Sequence, residues 1–132
     1  MAVSVTNTTI AALNANQAVT WNAATSTGVN GTEVFTITPT KKGSKMAVFI
    51  KDASTAATAK YTYSIAAGDL FGKKVITGSA GSTAAAANMA ALQIDTARVM
   101  TDDGTILATF TPATGKKLVG DHHLSVAVVE LL

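Results

Sequence analysis

Residues 33–38, EVFTIT, alternate apolar and polar side chains, so that Phe35 and Ile37 fall on one side of an extended chain and threonines on the other. A period of two is typical of a β-strand with one buried face. Pro39 follows directly, and it ends the predicted strand because proline has no N–H to donate to a neighbouring strand. The same alternation recurs through the rest of the chain.

The segments on the C-terminal side have the same strand character and are separated by turn-forming residues. Residues 46–51 are a nearly continuous apolar run, which predicts a strand buried on both faces. Asp102-Asp103-Gly104 predicts a tight hairpin turn between its flanking strands, because Asp and Gly tolerate positive φ values. Residues 78–92, rich in Ala, Gly and Ser, are predicted to form a loop, with one helical turn at residues 84–92 as an alternative. The predicted strands are 33–38, 46–51, 60–65, 73–77, 94–100, 105–111 and 124–131.

This spacing of short strands predicts an all-β fold: a single β-sandwich, jelly-roll-like, of about seven or eight short strands with an extended N-terminal arm. Residues 124–131 carry apolar side chains on both faces, which predicts a central strand. The 132 residues correspond to one domain. We expect residues 33–132 to form the sandwich domain and residues 1–32 to form an uncharged arm or a first strand region.

The N-terminal segment is set apart by its lack of charge. No Lys, Arg, Asp or Glu precedes Glu33, and all 18 charged residues lie from that position onward. Such a segment, rich in Ala, Thr, Asn and Ser, buries little surface on its own and needs another surface to order it. Two alternatives stay open: a strand docked within the same subunit, or an arm that pairs with a neighbouring chain.

The composition excludes several classes of function. The chain has no cysteine, which rules out a disulfide framework, a thiolate metal site and a cysteine nucleophile. The net charge of +2 is too small to indicate a nucleic-acid partner. The first twenty residues lack the basic and apolar regions of a signal peptide, and no apolar stretch is long enough for a membrane helix. We therefore expect assembly in a cytoplasm, with no nucleic-acid or membrane partner.

Three clusters of polar residues were weighed as sites of chemistry, and each favours a turn. His122 and His123 follow Asp121, but neighbours in an extended strand point to opposite faces and cannot easily hold one metal. Asp102-Asp103 lies in a turn and does not form the pair of carboxyls across a cleft that acid–base catalysis uses. Residues 68–74, GDLFGKK, lack the spacing of a phosphate-binding loop. We predict no catalytic, cofactor-binding or metal-binding residues, no cofactor and no enzymatic activity.

Several segments resemble small structural proteins of tailed bacteriophages, in particular the β-sandwich decoration, or cement, proteins on the outside of a capsid. The resemblance covers residues 34–132 in the character and order of the strands. It implies a virion protein that binds the major capsid protein at the capsid surface, commonly as a homotrimer, and staples neighbouring capsomers. It implies no catalytic residues. The segments are residues 66–69 (AAGD), 95–100 (DTARVM), 103–106 (DGTI), 111–115 (TPATG) and 126–131 (VAVVEL).

The uncharged arm and the lysine-bearing turns are the candidate contacts with partners. For the lysines, the favoured alternative is that they are solubilising charges on an otherwise neutral surface. A neutral surface suits contact with partners because buried unpaired charges cost several kcal/mol. Two other classes stay open: a carbohydrate- or receptor-binding virion module, for which Trp21 is the free aromatic candidate, and a tail structural protein. The candidate interface residues are Val3, Val5, Val19, Trp21, Lys41, Lys42, Lys73 and Lys74.

Overall fold

A computed structural model of the chain describes residues 2–10, 16–41, 43–53, 60–69, 75–80 and 88–131. This part of the chain is mostly β-strand and forms two five-stranded mixed sheets, which confirms the all-β prediction. The other regular elements are one helical turn, α1 (Thr96–Val99), and an irregular π-type turn, Leu118–His122. The strands are β1 (Ala2–Ser4), β2 (Thr8–Ile10), β3 (Asn22–Ala23), β4 (Glu33–Ile37), β5 (Lys45–Asp52), β6 (Tyr61–Ile65), β7 (Ile76–Ala80), β8 (Asn88–Asp95), β9 (Ile106–Thr111) and β10 (Leu124–Leu131).

Sheet I has the strand order β1-β4-β9-β6-β7. β1 runs parallel to β4, and all other strand pairings in sheet I are antiparallel. β4 is the predicted alternating strand, and the side chains of Phe35 and Ile37 are fully buried as expected. The rings of Phe35 and Phe110 meet edge to face with centroids 5.2 Å apart, which ties β4 to β9 inside the core.

Sheet II is built around the C-terminal strand. β10 pairs antiparallel with β5 on one side; on the other side it pairs with β3 near Ser125 and, in parallel, with β2 near Val129. β8 pairs with β5 and lies at the edge of the sheet. The consecutive residues 126–129 of β10 are all buried, which confirms the predicted central strand with two apolar faces.

One cluster of buried residues joins the two sheets. Sheet I contributes side chains such as Phe35, Ile65 and Phe110, and sheet II contributes Val48 and Val126. Two sheets that share one apolar core are consistent with a β-sandwich. Each large apolar side chain in such a core contributes about 1.5–3 kcal/mol through removal from water, so the layer between the sheets is the main source of stability.

The uncharged N-terminal segment contributes strands to both sheets of its own chain. β1 lies at the edge of sheet I, while β2 and β3 complete sheet II beside β10. Of the two alternatives left open by the sequence, the described residues follow the one in which the segment docks within its own subunit.

Buried Glu33 holds part of this segment in place. Its carboxylate accepts hydrogen bonds from the backbone N–H groups of Thr25 (2.7 Å) and Ser26 (3.2 Å) and from the Thr25 hydroxyl. The first charged residue of the sequence therefore anchors the end of the uncharged segment. Burial of a carboxylate is tolerated where several donors replace its water shell.

Glu130, also buried, does the same at the other end of the fold. Its carboxylate accepts hydrogen bonds from the Thr40 backbone N–H (2.9 Å), the Thr40 hydroxyl (2.7 Å) and the Asn7 side-chain amide (3.2 Å). The Asn7 amide also donates to the carbonyl oxygen of Thr38 (2.8 Å). The link between β1 and β2 is thereby tied to the C-terminal strand.

The predicted hairpin after residue 94 is wrong in its first arm. A tight turn does form, with the Thr101 N–H donating to the Thr105 carbonyl oxygen (2.8 Å) and Gly104 at a φ of +84°. β9 also matches the predicted second strand. Residues 94–100, however, contain only the end of β8 and then α1, whose first turn is capped by the side chain of Asp95. β8 and β9 lie in different sheets, so the turn connects sheets and does not close a hairpin.

The predicted loop at residues 78–92 is wrong at both ends. β7 extends to Ala80 and β8 begins at Asn88, while residues 81–87 lie outside the described residues. Alanine favours helix and glycine favours loops, but pairing with β5 along all eight positions of β8 outweighs these local preferences. The predicted strand at 73–77 is observed only from Ile76, and Lys73 and Lys74 lie outside the described residues.

The predicted burial of residues 46–51 on both faces is also corrected. β5 alternates fully buried Met46, Val48 and Ile50 with half-buried Ala47 and Phe49. Its second face therefore carries apolar side chains on the outside of sheet II.

Candidate functional site

The N-terminal candidate interface residues divide into two groups. Val3 and Val5 are half-buried and pack against the core of their own chain, so they serve the fold. Val19 and Trp21 expose 41% and 38% of their surface. Of the four, only Val19 and Trp21 therefore offer large apolar surface to a partner.

The candidate lysines are only partly located. Lys41 is exposed in the turn that follows β4. Lys42, Lys73 and Lys74 lie outside the described residues, and their role in contacts stays a prediction.

The outward side of sheet II carries a group of apolar side chains on three adjacent strands, bordered by Lys45 and Asp95 at one end and by Lys51 at the other. Positions that alternate with the core residues of β5, β8 and β10 point away from the core. Met89 and Leu131 expose 61% and 71% of their surface, whereas Val129 is nearly covered by its neighbours. We call this surface the outer face of sheet II and define it by Ala47, Phe49, Met89, Ala91, Val129 and Leu131.

A shallow groove runs across this outer face. It has a volume of about 420 Å³ and a largely apolar lining that includes Phe49, Ala91 and Leu131. Lys45 and Gln93 also line it. An apolar groove with a few polar groups at its rim is the usual composition of a protein contact surface.

Trp21 marks the β3 side of the outer face. The ammonium group of Lys51, on β5, lies 5.8 Å from the centroid of the Trp21 ring. Cation–π contacts at exposed sites contribute about 0.5–1 kcal/mol, enough to favour one orientation of the indole. One face of the ring is therefore occupied by a cation of the same chain.

The outward side of sheet I is chemically different. Its cross-strand neighbours are hydroxyl residues, such as Thr62 beside Thr111 and Ser64 beside Thr109. β7 extends the pattern with Thr77 beside Ser64. The fold thus presents a hydroxyl-rich face on sheet I and an apolar face on sheet II.

His122, which the sequence placed in a turn, is fully buried in a pair with Asp52. The ring Nδ1 lies 2.9 Å from the Asp52 carboxylate, and neither side chain reaches solvent. The backbone N–H of Ala113 donates to Nε2 (3.1 Å), so the ring proton is on Nδ1 and is donated to Asp52. The Tyr61 ring meets the imidazole edge to face, with centroids 6.0 Å apart.

The pKa of Tyr61 is raised, mainly because its side chain is buried. The nearby charges of Asp52 and Tyr63 raise it further. The group of Tyr61, Asp52 and His122 is enclosed, and a reactant in solvent has no access to the two fully buried side chains. It links β5, β6 and the turn before β10, which is a structural role. Nothing in the spacing of Asp52 and His122, which are 70 positions apart, could have revealed the pair.

Asp121, His122 and His123 do not form the extended strand that was expected of them. Asp121 accepts a hydrogen bond from the Lys117 N–H (2.8 Å) and closes the π-type turn. His123 is exposed and has a left-handed backbone with a φ of 51°. The structure therefore separates the three side chains by bending the backbone, and the strand alternation we invoked plays no part.

The aspartates near Gly104 stabilise turns. Asp103 accepts hydrogen bonds from the side chains of Thr101 and Thr105 and from the Thr105 N–H, and these lower the pKa of its carboxyl group. Asp69 accepts a hydrogen bond from the Asp102 N–H (2.8 Å), which joins two turns. The carboxyl groups of Asp69 and Asp103 thus act as local acceptors in turns.

Within the described residues, no group of three or more His, Cys, Asp or Glu side chains is placed to hold a metal ion. In the same residues no helix has the length and apolar character needed to cross a membrane.

The outer face of sheet II is the most distinctive surface of this fold. Two sequence features pointed to it: the apolar run at 46–51 and the two apolar faces of 124–131. The run at 46–51 predicts burial on both faces, because a strand covered on its second face by a partner has the same sequence pattern as one covered by its own chain. Comparisons of the chain with protein-family models, curated proteins and solved structures found no match.

Proposed function

We propose that this chain is a bacteriophage capsid decoration (cement) protein, which binds the outside of the capsid shell and stabilises it through contacts between capsomers. The observation that carries the proposal is the apolar outer face of sheet II. The resemblance of residues 34–132 to decoration proteins supports it and supplies the partner, the major capsid protein.

The outer face has the physical properties of a contact surface. Burying its exposed apolar area would contribute roughly 25 cal/mol for each Å² removed from water. The side chains at its centre, Ala47, Phe49 and Val129, carry no formal charge, so a partner loses little free energy in desolvating them. A modest contact of this kind is sufficient when many identical copies bind one shell.

The strand order supports the finer proposal of a jelly-roll. When β3 to β10 are renumbered 1 to 8, sheet II has the order 1-8-3-6 and sheet I has the order 2-7-4-5. All six pairings among these strands are antiparallel. This arrangement is the double-sheet pattern found in many capsid and lectin domains, so it agrees with a virion protein by analogy of fold.

The test is binding of the purified chain to phage particles that lack it. We expect the wild-type chain to bind and to raise the temperature at which the particles release DNA. Leu131→Glu places a charge on the outer face at a site that is 71% exposed, so the chain should fold while its affinity for particles falls at least tenfold. Val75→Glu, at a half-exposed position beside β7 of sheet I, is the matched control and should bind normally.

Cryo-electron microscopy of native virions provides the decisive view. Density for this chain on the shell, with sheet II against the capsid protein, is the expected result. If the chain is missing from the virion, or if its complete release leaves the shell equally stable, the cementing function is wrong.

Two other functions are separated by simple measurements. A carbohydrate- or receptor-binding module would use Trp21 for stacking, and a glycan array with a Trp21→Ala control would detect it. The Lys51 ammonium over the indole leaves one ring face for such stacking. A tail component would form rings or tubes in negative-stain images of the purified chain.

A further inference from the structure

Strand β8 offers the longest edge of the two sheets. It pairs with β5 at every position from Asn88 to Asp95, and no described strand lies on its other side. Edge strands usually carry lysine, proline or a bulge that prevents pairing with other chains. The sequence of β8, NMAALQID, contains no lysine, arginine or proline, and its only charged residue is at its end. The edge is therefore long and lacks the usual protection.

We propose that two copies of this chain pair through β8 as antiparallel strands about a two-fold axis. An antiparallel edge is complementary to itself, because a two-fold rotation places each backbone N–H opposite a carbonyl oxygen of the other copy. Identical edges that pair in this way close at two copies. The inference is thus a dimer, in contrast to the trimer that the resemblance implies.

Side-chain chemistry selects the register. A two-fold axis normal to the sheet keeps inward and outward faces matched only if one residue of β8 lies directly opposite the same residue of the other copy, with the axis midway between them. Centred on Ala91, the pairing sets small side chains at the axis and places Ala90 opposite the larger Leu92 of the partner subunit. Centred on Leu92, it would set two leucines against each other and place Met89 opposite a carboxylate. The first register avoids both of these juxtapositions.

The pairing would join the outer faces of sheet II from the two copies. Met89 and Ala91, exposed on β8, would lie at the centre of one apolar surface that spans both subunits. The biological use of such a dimer rests on the proposed function. A dimer would bind the shell through two linked contacts, which strengthens binding. The dimer itself is a property of the purified chain and is tested without particles.

The experiment uses engineered cysteines, which are specific because the natural chain has none. In the proposed register the two Ala91 Cα atoms lie about 4.5–5.5 Å apart, within the range of a disulfide. Ala47 on β5 is the matched control: it lies on the same outer face, but its two copies would be at least three strand spacings apart, more than about 14 Å. Both substitutions are small, so Ala91→Cys and Ala47→Cys should fold as the wild type does.

We expect light scattering of the wild-type chain to give twice the mass of 13.4 kDa, and mild oxidation to link Ala91→Cys but not Ala47→Cys. Leu131→Glu should stay dimeric, which separates this inference from shell binding. The inference is overturned by a monomer or trimer mass, or by cross-linking of Ala47→Cys as fast as Ala91→Cys. That last result would indicate stacking of outer faces instead of pairing of edges.

Discussion

The buried pair of Asp52 and His122 connects the two sheets, and its removal provides a sensitive test of the fold. His122 accepts a hydrogen bond from Ala113, which follows β9 of sheet I, and donates one to Asp52 at the end of β5 in sheet II. We consider His122→Phe, which keeps an aromatic ring against Tyr61 while removing both ring nitrogens.

The expected cost follows from the two lost hydrogen bonds. The bond to the Asp52 carboxylate is buried, and hydrogen bonds to such groups contribute about 1.5–3 kcal/mol. The Ala113 N–H loses its acceptor, at a further cost of about 1 kcal/mol. His122→Phe should therefore lower the free energy of unfolding by about 3 kcal/mol. In a chain that already carries Asp52→Leu, the same change should cost only about 1 kcal/mol, because no buried carboxylate is left behind.

Urea unfolding followed by circular dichroism and by Trp21 fluorescence measures both values. With a slope of about 1–3 kcal/mol per M, the midpoint of His122→Phe should fall by more than about 1 M. Asp52→Asn, which keeps the size and one acceptor oxygen, is the control and should cost about 1 kcal/mol. The reasoning is refuted if His122→Phe leaves the midpoint unchanged, or if its cost is the same with and without Asp52→Leu.

Three further predictions concern other parts of the fold. Glu33→Gln replaces a carboxylate that accepts hydrogen bonds from Thr25 with an amide that also donates. It should lower the free energy of unfolding in urea by about 2 kcal/mol and speed amide exchange at Thr25; unchanged exchange would contradict this. Burial raises the pKa of Tyr61 above its ordinary 10.0, so its contribution is complete below pH 10 and is lost as pH rises further; the decline in stability above pH 10 should be smaller in Tyr61→Phe, and equal declines would count against it. Gly68→Ala would place a Cβ 2.4 Å from the Met100 carbonyl oxygen, so it should cost more than about 2 kcal/mol, and a chain of wild-type stability would refute the close packing of these backbones.

Much of the secondary structure could be predicted because its causes are local. The alternation at residues 33–38, the start of β6 and the two apolar faces of β10 are properties of neighbouring side chains, and the structure confirms them. The turn at Gly104 was found in the same way, because a positive φ is a requirement of a few consecutive residues.

The role of the uncharged N-terminal segment could be predicted only in part. The absence of charge before Glu33 indicated a segment that depends on another surface. That this surface belongs to the same chain is a result of pairing with β4 and β10 and of hydrogen bonds to Glu33 and Glu130. Except for the hydrogen bonds to Glu33, these contacts join residues distant in sequence, so a local sequence pattern does not reveal them.

The sequence by itself determined that this chain is built of short strands, that its N-terminal quarter lacks charge and that one C-terminal strand is apolar on both sides. Only the tertiary structure decided that β8 and β9 belong to different sheets, that Asp52 meets His122 and that the outer face of sheet II exposes Met89 and Leu131. The reason is physical: strand periodicity and turn chemistry act over a few residues, whereas sheet pairing and burial depend on contacts between distant parts of the chain.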